Sequence, residues 1–149
     1  MNDLAYFNAS GQPSPEVAQA DTVPHSIEAE QQLLGALLTN NDVYDRIAQL
    51  IQADHFYEPV HGRIFEVAAA RIAKNALATP VTLKAFLEDD EGLKELGGPG
   101  YLARLAGAAI AAYAVRDYAQ MIYDLAIRRE LILLGQDIAA EAMRMDVKN

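Results

Sequence analysis

Apolar side chains return every three or four residues along most of this chain, and no stretch keeps up the every-second-residue alternation of a strand. The pattern therefore predicts helices and no sheet. Its best-marked stretch runs from Pro24 to Leu38, where Ile27, Leu34 and Leu38, flanked by Leu33 and Leu37, form one broad apolar face. Ser26 stands where its hydroxyl can satisfy a free N–H of the first turn. Glu28 and Glu30 sit near the positive end of the helix dipole. Three residues after Ser26 comes Ala29, so the reciprocal capping box is absent. Gly35 costs roughly 1 kcal/mol relative to alanine, and a glycine among leucines predicts that a second helix approaches closely.

The same reading carries along the chain. Val43, Tyr44, Ile47, Leu50 and Ile51 predict a helix over 43–52. A turn at 54–58 precedes Pro59, which suits the first position of a third helix because its missing N–H costs nothing there. Ile64, Phe65, Ala68 and Ile72 give that helix a buried side, to about Lys74. Thr79-Pro80 opens a fourth helix with Leu83, Phe86 and Leu87 inward. Gly92 and Gly97-Gly98-Pro99-Gly100 predict turns, followed by a short helix from about Tyr101 to Leu105. Residues 1–23 show no sustained period and read as a mobile tail carrying Tyr6-Phe7.

From Tyr113 to Met145 there is no proline and one glycine, Gly135. Tyr118, Ile122 and Leu125 share one face. Ile127, Leu131, Leu134, Ile138 and Met145 share another, rotated by about half a turn. Such a switch means a helix buried on two sides or two helices folded back on each other. One stripe can dock on the rest of the molecule, which leaves the other in need of a partner. Tyr118, Ile122, Leu125, Leu131, Leu134 and Ile138 are accordingly the candidate self-association residues.

Composition narrows the function. The 149 residues suffice for one domain with a core, and 52% hydrophobic content excludes a disordered chain. No apolar run approaches the roughly 20 residues needed to cross a bilayer, and the start lacks a secretory signal. Cysteine is absent, which removes disulfides and thiolate metal sites and fits a cytoplasmic protein. A net charge of −9 argues against direct nucleic-acid binding, which needs clustered Lys and Arg.

Candidates for chemistry are few. No G-x-x-x-x-G-K-[ST] loop occurs, and Gly97–Gly100 has no following Lys-Ser or Lys-Thr. Asp54, His55, Glu58 and His61 are of metal-ligating type, but a proline between the histidines redirects the chain, so they read as turn polar groups. Glu88-Asp89-Asp90-Glu91 reads as a solvated loop beside a glycine turn. No nucleophile has an adjacent base. The chain is expected to be no catalyst by itself and to hold no cofactor.

Pro24–Leu38, Phe56-Tyr57-Glu58-Pro59-Val60-His61-Gly62-Arg63-Ile64-Phe65, the stretch from Leu93 to Tyr101, and Arg116-Asp117-Tyr118-Ala119 together resemble the N-terminal domain of bacterial replicative DNA helicases of the DnaB type. The resemblance covers about residues 24–145 and rests on order and spacing. It implies an all-α fold: a tail (1–23), a compact helical head (24–110) and a C-terminal helical hairpin (111–145). It further implies a structural role for His61, dimers assembled three to a hexameric ring, primase and a helicase loader as partners, and ATP and Mg used only in a motor domain absent from this chain. At 108–114 the chain departs from the family, with Ala-Ala-Ile-Ala-Ala-Tyr-Ala where Thr-Pro and Asn are usual. The competing reading from another class is a stand-alone all-α regulator or small-molecule binder.

Overall fold

The computed structural model describes residues 22–109 and 114–145, and among these every regular element is helical. The elements are α1 (Ile27–Thr39), α2 (Val43–Ile47), a 3₁₀ turn (Ala53–His55), α3 (Pro59–Ala73), α4 (Pro80–Leu87), α5 (Glu91–Glu95), α6 (Pro99–Ala108) and α7 (Val115–Arg144). Residues 1–21 of the tail expected over 1–23, and residues 111–113 of the hairpin expected over 111–145, lie outside the described residues.

α1 forms at the expected place for the expected reason. The Ser26 hydroxyl accepts from the Ala29 N–H at 3.1 Å, and the chain leaves the helix at Asn40 in an extended conformation. Positions 33 to 38 are all buried, so the helix is enclosed rather than laid on a surface. α6 and the first half of α7 pack directly on it. Gly35 marks the contact with α6: a Cβ there would lie 2.2 Å from the Leu105 carbonyl oxygen and 3.1 Å from the Ala109 side chain. Because the obstacle is backbone, Gly35→Ala is expected to destabilise the chain despite alanine's better helix propensity. The overpacking costs about 1–3 kcal/mol against a propensity gain of about 1. Urea unfolding checks this, and an unchanged or raised midpoint would mean that α6 yields freely.

The remaining head follows the pattern with local corrections. α2 ends at Ile47, short of the expected 52, and the chain tightens so that Leu50 and Ile51 both bond back to the Ile47 carbonyl. Ile51 is nevertheless buried. α3 starts at Pro59 and buries Val60, His61, Ile64, Phe65 and Ala68. Thr79 and Thr82 cap α4 reciprocally. Leu83 and Leu87 point inward, but Phe86 does not: it is 58% exposed, because Leu83 and Leu87 already occupy the single face that this short helix turns to the core.

Residues 88–91 are not simply a solvated loop. Asp90 accepts the Leu93 N–H at 2.9 Å and caps α5, which runs through Gly92 where a turn was expected. The Arg63 guanidinium bonds both Asp90 oxygens, one of them at 2.9 Å, and holds the Asp90 carboxyl below its usual range. Gly97 and Gly98 adopt positive φ, 116° and 70°, which only glycine adopts without strain. The turn they make lets α6 begin at Pro99, two residues before the expected start.

The hairpin is the main correction. Residues 115–144 form one continuous helix of 30 residues, roughly 45 Å long at 1.5 Å per residue. No proline or glycine pair interrupts it, and a lone Gly135 does not break a helix. The buried stripe is Val115, Ala119, Ile122 and Ala126, at spacings of four, three and four. Alanines at 119 and 126 let α7 lie close on the head.

Candidate interaction surface

The head holds one buried polar constellation, and it is structural. Glu30 and His61 are the buried polar side chains among the described residues. The Glu30 carboxylate accepts the Tyr57 N–H at 2.7 Å and the Glu58 N–H at 3.3 Å. His61 Nδ1 lies 2.8 Å from Glu30 and its Nε2 lies 2.6 Å from the Tyr101 hydroxyl. Since Glu30 already takes two backbone donors, Nδ1 carries the proton and donates to it, which leaves Nε2 to accept from the Tyr101 O–H. Burial raises the Tyr101 pKa, opposed by the hydrogen bond from Gln31, so the phenol keeps the proton it donates. The chain of bonds joins α1, the start of α3 and α6.

From the local pattern alone, Glu30 reads only as a dipole partner. A better signal was available: it stands four residues before Leu34 and eight before Leu38, on the buried stripe itself. Asp54, His55, Glu58 and His61 do not converge. His55 Nδ1 accepts the Gln52 N–H at 2.9 Å and the ring packs edge-on against Tyr123, while both His61 nitrogens belong to the buried network. Among the described residues no group of three His, Cys, Asp or Glu side chains is placed to hold a metal.

α7 leaves the head over a clamp made by Arg129. This residue continues the 115–119–122–126 stripe by one step, but with a guanidinium. Its Nη1 donates to the Pro24 carbonyl at 2.9 Å and its Nη2 to the His55 carbonyl at 2.7 Å. The guanidinium lies over the Tyr57 ring, whose other contact is the stacked ring of His25 at 3.9 Å. The charge therefore reaches polar backbone rather than apolar core, and the intramolecular packing of α7 ends there.

Beyond the clamp every residue from 130 to 145 is exposed. Leu131, Ile132, Leu133, Leu134, Ile138, Met143 and Met145 are the large apolar side chains so placed. The six candidate residues thus divide. Ile122 is buried in the head and is core, which corrects its assignment to a self-association surface. Tyr118 packs against the core and Leu125 is half-buried. Leu131, Leu134 and Ile138 share the exposed distal half.

An all-α head with a long helix projecting past its own anchor defines the class of domain. The sequence matches the family model described as DnaB-like helicase N terminal domain over residues 22–124, and the chain belongs to that family. It is 40% identical over 120 residues to the replicative DNA helicase DnaB of Rickettsia prowazekii, covering 80% of this chain and 25% of the relative. The corresponding protein of Pasteurella multocida is 32% identical over 127 residues, with 85% and 27% covered. The chain therefore spans about a quarter of the length of these relatives. The fold matches the crystal structure of the N-terminal domain of DnaB helicase from Mycobacterium tuberculosis with a TM-score of 0.77 at 23% identity, covering 86% of this chain and 89% of that one. It also matches the N-terminal domain of the Helicobacter pylori DnaB helicase, described together with its interactions with primase, with a TM-score of 0.67 at 20% identity, covering 78% and 90%.

Proposed function

We propose that this chain is the non-catalytic collar of a ring-shaped replicative helicase, pairing subunits through the distal half of α7 and docking primase. The observation that carries the reading is the apolar surface of residues 131–145, which the head leaves uncovered. Contiguous exposed apolar surface of this kind marks a protein interface. Leu131, Ile132, Leu133 and Leu134 are consecutive and so point to nearly all sides of one turn of the helix, more than a single neighbour covers. A partner copy's α7 supplies such a neighbour. Within 115–144 the chain has no second helix to fold back as a hairpin.

In this reading three such pairs build a hexamer in the cytoplasm, a helicase loader is a further partner, and DNA is touched by other parts of the protein. ATP and Mg serve a motor outside this chain, consistent with the absence of a phosphate-binding loop in the sequence. The family membership and the helicase relatives support this over a stand-alone regulator.

Sedimentation velocity tests it. The expected result is a concentration-dependent mass above the 16.2 kDa of one chain, and a complex when the cognate primase is added. A monomer at the highest soluble concentration that also ignores primase would overturn the reading.

A further inference from the structure

A second apolar surface lies on the head, away from α7. α7 packs chiefly on α1, α2 and the 53–55 turn, whereas the C-terminal half of α3 and the facing side of α4 enclose a groove of about 250 Å³. Val67, Ala70, Ala76 and Phe86 form its apolar lining. Phe86 is the residue that the amphipathic pattern placed inward and the fold turns out, and Leu77 and Val81 nearby on the chain are exposed as well. The groove is smaller than the about 300–1,000 Å³ of small-molecule sites. Its size suits one large side chain rather than a ligand of its own.

The rim carries the charge that selects the occupant. Arg71 and Lys74 line the groove against a single carboxylate, Glu66, in a chain of net charge −9. Arg71 is held in place: its Nε donates to the Leu77 carbonyl at 2.6 Å and its guanidinium lies 5.3 Å from the centre of the Phe86 ring. With Nε occupied and the plane fixed, the terminal nitrogens remain for another acceptor. Neither they nor Lys74 join an ion pair among the described residues. A pre-oriented guanidinium loses little freedom on binding a carboxylate.

We propose that the α3–α4 groove docks a short acidic peptide segment of a partner protein, with an aromatic or leucine side chain against Phe86 and its carboxylates on Arg71 and Lys74. The combination is that of an anchor pocket with a charged rim. It is independent of α7, so loss of self-association would leave it standing.

The test uses the full chain and a fluorescently labelled peptide of glutamates around one leucine and one phenylalanine, read by anisotropy. Saturable binding that weakens with salt is expected. Lys74→Glu and Phe86→Ala should each reduce affinity about tenfold or more, and Lys74→Ala should fall between wild type and Lys74→Glu. Both side chains are exposed, so circular dichroism should show the head intact. Equal binding of a peptide with lysines for glutamates, or affinity indifferent to the Phe86 and Lys74 variants, would overturn the proposal. A drop in sedimenting mass on Phe86→Ala would also overturn it, by assigning the groove to a second copy.

Discussion

Glu30→Ala is expected to cost about 3–5 kcal/mol, because each enclosed donor left without its acceptor costs about 1–3 kcal/mol. The carboxylate is the common acceptor for the Tyr57 and Glu58 N–H groups and for His61 Nδ1. Alanine leaves three donors without a partner in a site where Glu30 and His61 are almost wholly enclosed. Against a total stability of about 5–15 kcal/mol, the loss should lower the melting temperature by roughly 10–15 °C for a domain of this size. Glu30→Gln should fall between, since its carbonyl can accept one backbone N–H while its amide meets another donor. Urea titrations followed by circular dichroism check the series. A loss below about 1 kcal/mol in Glu30→Ala would place it within the range of a single ordinary hydrogen bond and deny the network its role in joining α1, α3 and α6.

Leu134→Glu combined with Ile138→Glu is expected to act in the opposite way, on association and not on folding. These side chains are 56% and 62% exposed, so their replacement removes nothing from the head. In an assembled pair each would contribute about 1.5–3 kcal/mol on burial. Losing both should weaken association about a hundred- to ten-thousand-fold. Sedimentation should report monomers while the helical signal stays near wild type. A folded double variant with unchanged mass would remove the distal half of α7 from the interface. An unfolded one would mean that these residues belong to a core, contrary to their exposure.

Much of the molecule was legible from residue order. The Ser26 cap, Pro59 and the Thr79-Pro80 pair mark helix starts through backbone groups in the adjacent turn, and such signals need no tertiary context. Gly35 was informative for a similar reason, since its cost within a leucine-rich helix calls for a steric explanation, and the Leu105 carbonyl supplies it. The motifs at 24–38 and 56–65 carried the family. Boundaries were less legible. α5 depends on Asp90 as a cap, and α6 begins early because of two positive-φ glycines, so in both places a stretch that looked like plain turn holds helical residues.

By itself the sequence determined an all-α domain, where most of its helices begin, and the excess of apolar side chains after residue 126. These follow from local period, capping chemistry and composition. Only the tertiary structure decided which side chains that excess exposes. Val115, Ala119, Ile122 and Ala126 are buried because α7 packs there on α1, α2 and the 53–55 turn, while the same kind of residue at 131, 134 and 138 stands free because the head ends at Arg129. It likewise turned Glu30 inward and Phe86 outward. Period places a residue on a face of its own helix, but burial depends on whether another element covers that face, and such contacts join residues far apart in the chain.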